Sequence, residues 1–189
     1  MGQTLSVVIG AYNARSSIAE CLESVERQRN GRVIEVIVVD NSTDGTADIA
    51  ATNFDHVQVI RSPESNFIPE LWEVGINRST GDIIVITTAH CIPAGDWIDS
   101  ILKAHEKPFA GIGGAIENDG TSGLTDWAIY FCRYSRYMLP FGEREVDDIP
   151  GDNASYKRAA MEGCKEERRN GFWEPTVHAQ FAREGLRLL

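Results

Sequence analysis

Polar residues able to do chemistry in this chain gather at the ends of apolar runs. Leu5 to Ile9 leads into Gly10-Ala11-Tyr12-Asn13, Val33 to Val39 into Asp40-Asn41-Ser42, and Ile83 to Thr87 into Thr88-Ala89-His90. If the runs are neighbouring parallel strands, their carboxyl ends meet along one edge, which is where open α/β sheets bind ligands. Three polar segments are then expected to converge on one crevice. Asp40 brings a carboxylate that accepts hydrogen bonds, and an aspartate there also suits the turn before Asn41-Ser42. His90 could donate a hydrogen bond to a phosphate or hold a softer metal ion, although a lone histidine is more often structural. Farther along, Glu174 stands between Trp173 and Pro175. Partly apolar surroundings would raise its pKa toward a value useful for proton transfer. The alternative is that its charge serves the positive end of the helix that follows.

The elements that must position these residues can be read from periodicity. Short β-branched runs alternate with helical patterns through the first half, the signature of a mostly parallel sheet covered by helices. Strands are expected at Leu5 to Ile9, Val33 to Val39, Val57 to Ile60 and Ile83 to Thr87. Helices are expected over about 17–28, where Ser17 and Glu20 have capping-box spacing, over about 46–52, and from Pro69 through Ile76. The second half is less regular. A helix should run from Asp96 to His105, and Ala110 to Ile116 reads as a Gly-rich strand open to close approach. Trp127, Tyr130, Phe131, Tyr134, Tyr137 and Met138 form an aromatic helical stripe, read as packed on the core in preference to an acceptor or lipid surface. A turn at Ile149 to Asn153 precedes a charged helix from about Ser155 to Arg169. Its cations Lys157, Arg158, Lys165, Arg168 and Arg169 read as a solvated face. Pro175 opens a last helix that Gly185 ends.

Composition narrows the function classes. At 189 residues, with 42% hydrophobic and 24% charged, the chain fits one globular α/β domain. A net charge of −10 disfavours nucleic acid as a partner. Cys21, Cys91, Cys132 and Cys164 form no CxxC pair, so neither a zinc knuckle nor a disulfide framework is indicated. No apolar run reaches the roughly 18 residues of a membrane span. The expectation is a cytoplasmic protein, with Arg133 and Arg136 beside the aromatic stripe keeping a peripheral membrane contact open. Met1-Gly2 with Ser6 matches a myristoylation pattern too short and common to carry weight. Neither a GxGxxG fingerprint nor a P-loop lysine follows the first strand, which disfavours a dehydrogenase or a nucleotidyltransferase.

Several segments resemble family 2 of the glycosyltransferases, whose members share the GT-A fold. Ser6 to Asn13 is similar to the family's opening strand and its AYN turn, with Gly10 in place of a usual proline. Val36 to Thr46, read VIVVDNSTDGT, resembles its VVDNGSTDGT segment. Gly75-Ile76 with Gly81-Asp82-Ile83-Ile84 is similar to its GI..A.GD.I stretch, Ile149 to Arg158 to its GxNxxxRR region, and Gly171 to Glu174 to its gfxE region. The likeness implies an inverting transfer of a sugar from a nucleoside-diphosphate sugar, such as a UDP-sugar, to the hydroxyl of a carbohydrate or lipid-linked acceptor. It implies that Ala11, Tyr12, Asn13, Asp40, Ser42, Thr88 and Ala89 hold the nucleotide. Gly114, Asp152, Asn153 and Trp173 then face the donor or acceptor sugar, and Glu174 is the general base. Residues 1–90 would form the nucleotide-binding half of a single domain and 91–189 the acceptor and catalytic half, with further chain expected beyond Leu189.

Two segments depart from the family pattern. Where members carry a DxD motif for Mn²⁺ or Mg²⁺, this chain has Thr88-Ala89-His90, leaving His90 as the candidate metal ligand and His178 as a conceivable second. Where many carry an Arg-Asn pair before the GI, this chain has Trp72. The same departures permit a second reading, a GT-A domain that binds nucleotide or carbohydrate without turnover.

Overall fold

In a computed structural model of the chain, which describes residues 3–32, 34–65, 67–119 and 123–189, the apolar runs lie side by side. The expected strand start at Val33 and the Met1-Gly2 pattern lie outside the described residues. Strands β1 (Leu5–Ala11), β2 (Ile34–Asp40), β3 (Val57–Arg61) and β4 (Ile83–Thr88) pair in parallel. They alternate with helices α1 (Ile18–Glu26), α2 (Thr46–Asn53) and α3 (Ile68–Arg78). β1, β2 and β4 are buried along almost their whole length, as strands covered on both faces must be. The register sets Ala11 opposite Asp40 and Gly10 opposite Thr88, so the polar segments after these strands share one edge.

Two elements complete the sheet from the far side. β5 (Gly111–Gly113) and β6 (Asn153–Lys157) give the order β3-β2-β1-β4-β6-β5, with β6 antiparallel to both its neighbours. The sheet is mostly parallel and flanked by helices, the α/β class that the sequence pattern indicates. One apolar layer under α1 and α4 (Trp97–Ala104) includes Ile18, Leu22, Val25, Ile98 and Ile101. The opposite layer lies under α3 and α7 (Glu174–Arg183), with Trp72, Ile76, Tyr156, Phe172 and Phe181. No described helix is long and apolar enough to cross a membrane.

The second half corrects the sequence reading in three places. The charged helix expected from Ser155 to Arg169 is instead β6, a short helix α6 (Arg158–Glu162) and a run of turns. Burial wins over helical content there: Ala154, Ser155 and Tyr156 are all enclosed between β4 and β5. The cations are also not one solvated face. Arg168 is 2% exposed, pairing with Glu73 at 2.6 Å, and Arg158 donates to Gly81 O and Ser79 Oγ. The Gly-rich strand is shorter than expected. Finally, α5 (Leu124–Tyr134) carries only the Trp127 to Tyr134 part of the aromatic stripe, with Tyr137 and Met138 beyond its end, and it buries only Tyr130, leaving Leu124, Ile129 and Phe131 exposed. Its rings pack mainly on one another, Trp127 against both Tyr130 and Phe131.

Candidate active site

Two hydrogen-bonded latches fix the edge where β1 and β2 end. Ser42 Oγ donates to Asp40 Oδ1 at 2.6 Å and accepts from the Asn13 backbone N–H at 2.8 Å. Thr46 Oγ1 repeats the pattern, donating to Asp44 at 2.6 Å and accepting from Ala14 N–H at 3.0 Å. Asp44 also accepts from Arg15 N–H, and these bonds hold its carboxyl below the usual range, with the Thr46 hydroxyl the largest cause. Asn13 takes a left-handed φ of 50°, which asparagine tolerates better than most residues. The result is a rigid turn that holds Tyr12 outward, 54% exposed. Asp40 itself is 2% exposed and accepts from Ser42 N–H as well as its hydroxyl, so the turn role raised from sequence is the one its contacts describe. A carboxylate has about four acceptor positions, and these two bonds use two.

His90 lies against the same turn. Its Nε2 is 3.3 Å from the Tyr12 carbonyl and its Nδ1 3.3 Å from Ser17 Oγ. This engagement also explains why the Ser17–Glu20 capping box does not form: Ser17 makes no side-chain cap bond to α1. Thr88 Oγ1 sits 3.3 Å from Cys91 Sγ, and Ala89 N–H donates to Gly10 O at 3.0 Å.

The two unusual residues of the first half, Gly10 and Trp72, turn out to be partners. A side chain at Gly10 would come within 3.2 Å of Trp72 Nε1, which donates to Thr87 O at 2.7 Å. The far end of the indole meets Gly151, where a Cβ would lie 2.5 Å from the ring and 2.3 Å from Glu174 Oε1. Trp72 therefore spans from the end of β1 and β4 to Glu174, with a glycine making room at each end. Nothing in either segment alone signals this, but a missing side chain and an oversized one in the same fold half are the trace it leaves.

Glu174 opens α7, after Trp173, whose ring tilts against Phe67 with centroids 5.9 Å apart. Burial raises the Glu174 pKa, and the nearby Asp152 and Asp148 charges add to the rise, while hydrogen bonds from its own backbone and from Gly151 oppose it. Asp152 lies across from the end of β4, its carbonyl accepting from Thr87 Oγ1 at 2.7 Å and its carboxylate from Tyr134 OH at 2.6 Å. Asn153 is structural in its contacts: it accepts from Trp97 Nε1 at 2.8 Å and donates to Ala115 O at 2.8 Å. Gly114 abuts it so closely that a Cβ would meet Asn153 Nδ2 at 2.3 Å.

His178 faces the core and not His90. Its Nδ1 lies 2.7 Å from Asp148 Oδ1 and its Nε2 2.9 Å from the buried Tyr156 hydroxyl. Burial lowers its pKa against the opposing pull of Asp148. Asp148 and Tyr137, which donates to it at 3.1 Å, are functional candidates that the sequence reading missed. Residues 137, 148, 156 and 178 share no motif spacing, so nothing in the linear chain could have grouped them.

With this geometry in view, comparison with known proteins gives one answer. Residues 6–164 match the model of glycosyl transferase family 2. Glycosyltransferase AglE of Haloferax volcanii is 33% identical over 100 residues, 50% of this chain and 33% of its own. The uncharacterized glycosyltransferase YfnE of Bacillus subtilis is 30% identical over 135 residues, 70% of this chain and 32% of its own. The chain thus spans about a third of the length of these relatives. Among solved structures, the mannosyltransferase PcManGT of Pyrobaculum calidifontis, in complex with GDP-Man and Mn²⁺, superposes with a TM-score of 0.72 at 22% identity, covering 100% of this chain and 55% of that one. S. aureus TarS 1-349 gives 0.67 at 14% identity, covering 98% and 58%.

Proposed function

The chain belongs to glycosyl transferase family 2, and from that premise we propose that it moves a sugar from a nucleoside-diphosphate sugar to an acceptor hydroxyl with inversion. The observation that carries this reading is Glu174, a carboxylate of raised pKa set against Gly151 and Trp72 beside the end of β4. In this reading the acceptor hydroxyl gives its proton to Glu174 as its oxygen attacks the anomeric carbon. The bond to the diphosphate breaks on the opposite face, and the bonding pair leaves with the phosphate oxygen. A base must lie within hydrogen-bond reach of that hydroxyl, and a pKa above the usual carboxylate range brings it nearer the operating pH.

Nucleotide binding is assigned to the latched turns: Ala11, Tyr12, Asn13, Asp40 and Ser42, with Thr88 and Ala89 at the phosphates. The exposed Tyr12 ring offers an apolar face to a base. Gly114, Asp152, Asn153 and Trp173 are assigned to the sugars, Asn153 by shaping the wall because its amide is already engaged. Residues 1–90 and 91–189 act as nucleotide and acceptor halves of one domain.

Solved relatives carry Mn²⁺ with GDP-Man in one case and with UDP in another. The residues at the corresponding strand end do not fit such an ion. Read as standing where the family carries its acidic motif, Thr88-Ala89-His90 offers a hydroxyl and an imidazole where hard cations take carboxylate oxygens, and both His90 nitrogens already face Ser17 and Tyr12. Among the described residues no group of three His, Cys, Asp or Glu is placed to hold a metal. The diphosphate is therefore assigned to backbone and side-chain donors of this edge.

Calorimetry with UDP, GDP and dTDP, each with and without Mn²⁺, followed by a nucleotide-release assay with the matching sugar donors, tests the proposal. Binding of one nucleotide, unchanged by Mn²⁺, with release of nucleotide from its sugar donor is expected. Binding with no release when a panel of acceptor sugars is added favours the binding-only reading.

A further inference from the structure

The proposed base has a neighbour that offers it no hydrogen bond. Trp72 is 4% exposed and joins two parts of the candidate site. At one end its Nε1 donates to the Thr87 carbonyl at 2.7 Å. At the other, a Cβ on Gly151 would lie 2.5 Å from the ring and 2.3 Å from Glu174 Oε1, so the outer edge of the indole and the carboxyl oxygen flank the same point. Thr87 Oγ1 donates in turn to the carbonyl of Asp152, the residue after Gly151. The contacts close a ring from Thr87 through Trp72, Glu174, Gly151 and Asp152 back to Thr87. A carboxyl inside such a ring is fixed relative to the end of β4, the edge to which the diphosphate is assigned.

The groups that face Glu174 act on it in different ways. Gly151 hydrogen-bonds to the carboxyl, and Asp148 and Asp152 set negative charge beside it. Tyr137 and Tyr156 face it too, both held un-ionised by burial. On α7 His178 is engaged by Asp148 and Tyr156, and on α3 the charge beside Trp72, Glu73, is taken by Arg168. The indole works by exclusion. The side of the carboxyl that it covers is closed to water, which disfavours the charged form, and burial is the largest cause of the raised Glu174 pKa. We propose that Trp72 is a positioning residue for the proposed base, its ring holding the Glu174 carboxyl against Gly151 and its bond to Thr87 tying that carboxyl to the end of β4. The proposal rests on the base role given to Glu174.

NMR of the side-chain carboxyl carbons, with the Glu174 resonance identified by its loss in Glu174→Gln, reads the titration of the base without any need for turnover. Trp72→Phe removes the outer edge of the indole and its Nε1 while keeping a buried ring. Its Glu174 midpoint should move to lower pH, as water reaches the uncovered side of the carboxyl. Trp72→Tyr sets a hydroxyl near the lost ring edge, and a donor there favours the charged carboxylate, so its midpoint should be at least as low. In nucleotide-release assays both variants should lose about tenfold in kcat, because a reacting group displaced by a fraction of an ångström gives up much of its orientation. The acid limb of kcat should move with the midpoint, and nucleotide affinity in calorimetry should hold. A Glu174 midpoint unmoved in both variants overturns the proposal even where kcat falls, since Trp72 would then act through stability alone. Absence of turnover in the unaltered chain counts against the transferase reading instead, and the titration still decides whether the indole governs the carboxyl.

Discussion

At the scale of single residues, Glu174 is a buried carboxyl beside two other acids, and Asp40 is a carboxylate bound by its own turn. Burial and the neighbouring Asp152 and Asp148 charges favour a protonated Glu174. As a base it must be ionised, so turnover is expected to fall with pH through a limb lying above the ordinary carboxylate value of about 4.3. Glu174→Gln should keep nucleotide affinity while removing turnover; a variant that turns over normally refutes the base assignment. The stability linkage runs the other way. A carboxyl whose pKa is raised on folding stabilises the fold fully below its unfolded value, and that contribution is lost as pH rises through the folded value. Glu174→Gln should therefore equal or exceed the unaltered chain in urea midpoint at pH 7 and lose that advantage near pH 4. Asp40 accepts two hydrogen bonds from Ser42, one from its N–H and one from its hydroxyl. Asp40→Ala should abolish nucleotide binding, and Ser42→Ala, which loosens the latch but keeps the carboxylate, should only weaken it. Equal losses in calorimetry would reduce Asp40 to a turn residue.

At the scale of elements, the parallel half was legible because each strand is a mostly apolar run, broken only by single polar residues such as Glu35 and Gln58, that ends in a polar turn, two signals that agree. Asp40 and Thr88-Ala89-His90 could be placed at one edge for that reason. β6 was not legible. Asn153 to Lys157 carries polar residues that look solvated in sequence, yet its middle three residues are enclosed by strands on either side. The same misreading put Arg168 on a surface, when it lies buried against Glu73 and the Met161 carbonyl. Pairing with β4 and β5 places β6, the Glu73 pair places Arg168, and no local spacing encodes either. Removing one member of a buried ion pair leaves the other charge uncompensated, so Arg168→Ala should cost about 3–5 kcal/mol in chemical denaturation. Arg169→Ala, on an exposed neighbour that among the described residues pairs only with Glu166, should cost almost nothing. Comparable losses would show that the Glu73 pair does not anchor the turns.

For the whole molecule, the sheet divides two apolar layers, and the candidate site draws on both. The latched turns and His90 lie on the side of the layer under α1, while Trp72 belongs to the layer under α3 and α7 and Glu174 opens α7 on that side. Trp72 Nε1 on Thr87 O, and Thr87 Oγ1 on the Asp152 carbonyl, tie one layer's residues to the strand that both layers share. A nucleotide held at the edge of β1, β2 and β4 should therefore stabilise residues 1–90 and 91–189 together. By mass action, ligand at about 100 times its dissociation constant adds about 2.7 kcal/mol, which for a chain of this size corresponds to roughly 5–10 °C in melting temperature. Calorimetric scans with increasing nucleotide should show a single transition moving upward as one. Were the two halves independent, one transition would keep its midpoint while the other rose, and the assignment of both to one domain would fall. The Trp72→Phe variant sharpens the reading, because it deletes the indole bond to Thr87 O but keeps most of the buried ring: a single shifting peak that splits only in this variant would place the coupling between the halves at Trp72.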